Sequence, residues 1–137
     1  LRFAQKTLHE NIMNIPSNLF YTRDHEWIRI EGDTAWLGIT EFAQDELGEI
    51  VFVEVNEMNT PLQKDDVFGS VEAVKAVSDL FMPFEGEIIA KNEDLEENPQ
   101  FVNEDPYGKG WMIQIKLTQR ENITEGFIAK LGFAIIS

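Results

Sequence analysis

At 137 residues, with 25 acidic and 11 basic side chains and a formal charge of −14, the chain has the length of one domain. That is too short for a catalytic cleft between two domains, and its acidity disfavours phosphate backbones and anionic lipid headgroups as partners, so neither nucleic acid nor membrane is expected. Cysteine is absent, which excludes disulfides, thiolate metal sites and a cysteine nucleophile and means that any thiol chemistry must arrive on a cofactor.

The 43% apolar and 26% charged content is that of a globular protein. The two histidines, His9 and His25, have no partner at metal-ligand spacing. No apolar run approaches the ~20 residues that cross a bilayer. Residues 1–14 show no clear period and read as a mobile or loosely docked N-terminal extension, with a processed or trimmed product and the end of a transit peptide as the other readings.

From Ile15 the pattern sharpens. Trp27 to Glu31 and Thr34 to Ile39 alternate β-branched and aromatic residues about Gly32-Asp33, which predicts a hairpin. Thr40 is placed to cap a short helix over Glu41 to Leu47 that ends at Gly48. Glu49 to Val55 is apolar on both faces and reads as a central strand. Asn56 to Asp66 reads as a turn-rich connection in which Pro61 stops any ladder.

Phe68 to Met82 reads as two strands meeting at a tight turn with Lys75 at the tip. An amine displayed in this way suits either a solvated turn lysine or a handle that another enzyme acylates. Pro83 to Gly86 forms a turn, Glu87 to Ala90 a strand, and Asp94 to Asn98 a helical turn before Pro99. Trp111 to Leu117 has the cleanest period of two, with Trp111, Ile113, Ile115 and Leu117 on one face. Glu125 to Leu131 reads as a short helix. Strands at this frequency indicate a small β-rich sandwich or barrel-like domain. No P-loop, dinucleotide fingerprint, nucleophile elbow or zinc-binding histidine pair is present.

Several ordered blocks then point one way. They include Tyr21-Thr22-Arg23-Asp24-His25-Glu26-Trp27, Gly38-Ile39-Thr40 with Phe42-Ala43-Gln44, and Leu47 to Val53. Phe68-Gly69, Val71 to Leu80, Pro83 with Gly86-Glu87, Glu97-Asn98-Pro99 with Val102-Asn103, and Pro106-Tyr107 with Gly110-Trp111 complete the set. Over about Ile15 to Leu117 the chain resembles the glycine cleavage H-protein family of lipoyl carriers. Within the wider biotin and lipoyl set, Val74 and Ala76 stand where biotin carriers place methionines, and the Ser78-Asp79 continuation is similar to H proteins. Asn59 and Asp65 replace usual family glycines at turns where φ > 0 is expected, a conformation that Asn and Asp tolerate well.

The resemblance implies a mainly β fold, a lipoyl- or biotinyl-carrier-like flattened barrel or sandwich with a few short helices. It divides the chain into the extension 1–14 and a carrier domain 15–137, of which 118–137 is a divergent C-terminal segment. It implies that Lys75 bears a lipoate amide and that the domain itself catalyses nothing. The implied partners are a PLP-dependent glycine decarboxylase, a tetrahydrofolate-dependent aminomethyltransferase, an FAD-dependent dihydrolipoamide dehydrogenase and a lipoylating enzyme. The carrier is expected to be a monomer, cytoplasmic in a bacterium or in the mitochondrial matrix of a eukaryote.

Glu26 and Asp79 lie in matching blocks and are expected to pair with the ammonium of an aminomethyl cargo when the arm folds back, or else to be plain strand-end acids. His25 has the titration range of a proton shuttle, although a histidine beside a tryptophan also reads as a packed residue. Glu72 and Ser78 flank Lys75 and read either as recognition marks for the lipoylating enzyme or as solubilising turn residues. Trp27, Trp36 and Trp111 read as core. Two other roles remain open beside the aminomethyl carrier: a lipoate-relay protein that donates lipoyl groups to other carriers, and an unlipoylated scaffold domain.

Overall fold

The alternation of apolar residues builds two antiparallel sheets that close on one core, a β-sandwich with a few short helices. The computed structural model describes Pro16 and residues 18–118. The N-terminal extension over 1–14, the helix expected over Glu125 to Leu131 and all but the first residue of the segment 118–137 lie outside the described residues.

The strands in chain order are β1 (Phe20–Tyr21), β2 (Glu26–Glu31), β3 (Thr34–Ile39), β4 (Ile50–Val55), β5 (Pro61–Leu62), β6 (Val67–Ala73), β7 (Val77–Phe81), β8 (Gly86–Lys91) and β9 (Ile113–Leu117). The larger sheet runs β1-β2-β3-β9-β8-β5 and the smaller runs β4-β6-β7. Helix α1 (Glu41–Leu47) links the two sheets, a single 3₁₀ turn (Glu93–Glu96) follows β8, and helix α2 (Phe101–Glu104) precedes β9.

Local chemistry explains several of these elements. Thr40 Oγ1 accepts the Ala43 N–H at 3.1 Å and starts α1, while Gly48, at φ 86°, donates its N–H to Gln44 O at 2.9 Å and ends it. Gly32 adopts φ 65° between Glu31 and Thr34, which pair across the β2–β3 hairpin. Asn59 and Asp65 take φ 57° and 74°, as their residue types allow. The core between the sheets holds Ile28, Leu37, Phe68, Val71, Ile88, Ile113 and Ile115. A second cluster covers the far face of the larger sheet: Leu19, Tyr21 and Trp27 are buried, with Trp36, Tyr107 and Trp111 packed against them. Trp27 Nε1 donates to Pro106 O at 2.9 Å, and the Arg29 guanidinium sits 4.9 Å from the centre of the Trp36 ring.

Three expectations are corrected. β4 is an edge strand, not a central one: among the described residues it pairs only with β6, and a register shift between Ile50 and Phe52 leaves both Val51 and Phe52 exposed. Pro61 does not stop the ladder: Pro61 and Leu62 pair with Glu87 and Gly86. A proline is tolerated there because it opens a two-residue edge strand. Trp111 does not continue the face of Ile113, Ile115 and Leu117, since its N–H closes a turn on Gly108 O at 3.1 Å and its ring joins the aromatic cluster.

Candidate functional site: the Lys75 tip and the Glu26 cleft

β6 and β7 pair from Val67 with Phe81 to Glu72 with Val77, which leaves Val74, Lys75 and Ala76 as the turn. The Ala73 N–H closes this turn on Ala76 O at 2.7 Å. The tip is also seated from below: the Val74 N–H donates to Glu49 O at 3.0 Å. Beneath it, Asn103 fastens the junction of α1 and β4. Its Nδ2 donates to Gly48 O at 2.9 Å and to Gln44 Oε1 at 2.7 Å, and its Oδ1 accepts the Ile50 N–H at 2.9 Å. The aliphatic stem of Lys75 passes over Gly48, where an added Cβ would stand 3.3 Å from Lys75 Cε. Lys75 is exposed and forms no ion pair among the described residues. Its amine therefore fits the requirement for amide attachment of a lipoyl group, being open to an enclosing enzyme and held on an ordered turn.

A second feature lies along the same strand. Met82 N donates to Asp66 O, so the neighbouring Phe81 N–H points off the free edge of β7. That N–H donates to Glu26 Oε2 at 3.3 Å, and the Thr22 hydroxyl donates to Glu26 Oε1 at 3.2 Å. Thr22 is held in place because its Oγ1 also accepts the backbone N–H groups of Asp24 and Glu26. Glu26 is only 2% exposed and forms no ion pair among the described residues. Burial, with the nearby Asp24 carboxylate adding to it, pushes its carboxyl up to about 8 despite the two hydrogen bonds. Glu26 borders a cleft of about 390 Å³ that is also lined by Thr22, Arg23, Asp24, Lys64, Asp65, Met82 and Pro83.

The other expected site residues are distributed around these two features. Asp79 is exposed on β7, two residues nearer the tip than Phe81, and is not among the residues lining the cleft. His25, at φ 63°, is half-buried with its ring centre 4.8 Å from that of Phe42, and its carbonyl accepts the Thr40 N–H. It too is absent from the cleft lining. Glu72 is exposed on β6, paired with Val77, and exposed Ser78 points its hydroxyl at Asp79 O at 3.4 Å.

Sequence reasoning gave Thr22, Lys64, Asp65 and Asn103 no part in the site, although Thr22 and Asn103 fall in the family-like blocks and Asp65 at a positive-φ turn. The alternation of Thr22, Asp24 and Glu26 was a usable signal for a turn hydroxyl bonding ahead. Asn103 gave no such signal, because its three partners lie 53 to 59 residues away.

A family model described as Glycine cleavage H-protein matches residues 19–131. The glycine cleavage system H protein of Bacteroides thetaiotaomicron is 56% identical over 104 residues, covering 76% of this chain and 82% of the relative. That of Salinibacter ruber is 57% identical over 113 residues, covering 82% and 91%. The crystal structure of a glycine cleavage system H protein from Mycobacterium marinum superposes with a TM-score of 0.72 at 34% identity, covering 80% of this chain and 96% of that one. The chain belongs to the glycine cleavage H-protein family, the non-catalytic lipoyl carriers of the glycine cleavage system.

Proposed function

We propose that Lys75 is the residue that bears the lipoyl group and that Glu26, assisted by Asp79, receives the cationic end of the loaded arm. In this reading the chain takes an aminomethyl group from a PLP-dependent glycine decarboxylase to a tetrahydrofolate-dependent aminomethyltransferase. It then presents a dithiol to an FAD-dependent dihydrolipoamide dehydrogenase. The lipoyl group, once attached, supplies the sulfur that the cysteine-free chain lacks. The bacterial relatives support a setting in bacterial cytoplasm.

One observation carries the reading: a seated, exposed lysine and a buried carboxyl that has no counter-ion among the described residues are served by the same hairpin arm, β7. Asp79 is four residues from Lys75, at most about 13 Å along the chain, and Phe81 lies two residues further. The tip holds the attachment point away from the core, so the arm is free to visit separate active sites, and the tether keeps the local concentration of cargo high without tight binding. When the arm returns, the Glu26 cleft offers an ammonium two oxygens that already have fixed hydrogen-bond partners. Burial there shields the cargo from water.

The test joins two measurements. Intact mass of the chain from its native source should show one lipoyl amide, absent in Lys75→Arg. The lipoylated chain should support glycine-dependent exchange of carbon dioxide by the decarboxylase, and Lys75→Arg should not. A lipoylated chain with no exchange activity would overturn the aminomethyl-carrier reading in favour of lipoate relay, and a lipoyl amide on any other lysine would overturn the site.

A further inference from the structure

The outer face of the small sheet carries one row, Phe52, Glu72 and Val77, to which the carrier cycle gives no part. Residues paired across antiparallel strands project to the same face. Phe52 pairs with Glu72, and Glu72 pairs with Val77, so these three form one row across β4, β6 and β7. The next row is Glu54, Ser70 and Asp79. Phe52 and Val77 are 46% and 68% exposed, and Val74 beside Lys75 is 68% exposed. Phe52 reaches this face because of the irregularity in β4: the register shift between Ile50 and Phe52 turns Val51 and Phe52 outward in succession. Bulges of this kind re-aim side chains near functional sites.

We propose that the row Phe52–Glu72–Val77 is the docking strip for the enzyme that acylates Lys75, with Phe52 and Val77 entering an apolar socket and Glu72 meeting a basic side chain. The proposal rests on Lys75 being the modified residue. Continuity with that site identifies the occupant. Val77 is two residues from Lys75, and the row spans three strands, about 10 Å at the usual spacing, so an active site that closes over the amine covers it. Charge agrees: Glu72, Glu54 and Asp79 make the face acidic on a chain of net charge −14, which favours an enzyme with a basic rim. An exposed aromatic beside a single carboxylate is the composition of an interface anchor with a polar neighbour.

The experiment measures lipoyl transfer to the unlipoylated chain by intact mass at varied chain concentration, together with direct binding of the enzyme to the Lys75→Arg chain by calorimetry. Phe52→Ser and Val77→Ser are compared with Phe52→Leu, which keeps apolar bulk. Val67→Ser serves as control, since Val67 is 44% exposed at the other end of the same hairpin, paired with Phe81. Phe52→Ser should raise KM at least tenfold with little change in kcat and weaken binding to the same extent. Phe52→Leu and Val67→Ser should stay near wild type, with all melting temperatures close to one another. An unchanged KM in Phe52→Ser, or an equal effect in Val67→Ser, would overturn the docking strip. So would a loss confined to exchange by the decarboxylase, which would assign the row to that enzyme instead. Failure of the unaltered chain to accept lipoate at Lys75 would strike the underlying site assignment, a result distinct from these.

Discussion

The carboxyl of Glu26, the first residue of β2, accepts the backbone N–H of Phe81 at 3.3 Å across 55 residues of sequence. This bond ties the large sheet to the free edge of the small one. Glu26 nonetheless sits in surroundings that favour its neutral form, because burial outweighs two hydrogen bonds that favour the ionised one. Four predictions follow from this site and its supports.

The first concerns pH. The carboxyl is pushed from 4.5 up to about 8 in the folded chain. Between those values the folded chain holds a proton that the unfolded chain has released. Its contribution to stability is therefore full below pH 4.5 and falls by ~1.4 kcal/mol per unit as pH rises toward 8. Glu26→Gln removes this dependence. Urea unfolding of both chains from pH 5 to 8 should show the wild type losing stability relative to the variant at each step, and parallel profiles would contradict the neutral buried carboxyl.

Cargo retention tests the role proposed for the same residue. Charge-assisted hydrogen bonds to an ammonium contribute ~1.5 to 3 kcal/mol, so the Glu26→Gln, Asp79→Asn chain should release its amine about tenfold faster or more when loaded. Most of the effect should come from Glu26, because Asp79 is exposed and solvent screens it. An ammonium beside Glu26 favours its ionised form, so retention by the wild type should strengthen from pH 6 to 8. Release of amine over time is the measurement, and equal rates in both chains would exclude the cleft as a resting place.

Asn103→Ala should destabilise the fold by ~1–3 kcal/mol, since it strands the Ile50 N–H and the Gly48 carbonyl together. It should also speed hydrogen exchange at the Val74 amide, whose acceptor Glu49 lies between those two residues. Exchange followed by mass spectrometry or NMR separates this local loosening from global unfolding.

Gly38→Ala places a methyl group 2.6 Å from Trp27 Nε1 and 2.8 Å from two ring carbons. The indole cannot retreat without straining its bond to Pro106 O, so a loss of ~1–3 kcal/mol is expected. Chemical denaturation followed by tryptophan fluorescence would measure it.

Much of this was readable from residue order, because the signals were local. Thr40 and Gly48 delimit α1 as their chemistry requires, and the Gly32 turn and the Lys75 hairpin stand where alternation places them. Asn59 and Asp65 take the positive φ expected of them. What could not be read depended on layers. Glu49 to Val55 looks equally apolar whether covered on two faces or one, and only its pairing with β6 alone among the described residues makes β4 an edge. Likewise, nothing in the order Asp24-His25-Glu26 says that Glu26 is buried while Asp24 is exposed; the Phe81 N–H from a distant strand decides it.

The seat beneath Lys75 also has an order of assembly. The hairpin and α1 are complete once residue 81 has been made, but the fastening of Gly48 and Ile50 waits for Asn103. During synthesis the turn therefore emerges well before its base is locked. A short peptide spanning β6 and β7 reproduces the lysine and its neighbours but not the ground they stand on, because the base of the turn is locked only once the chain has folded past residue 103.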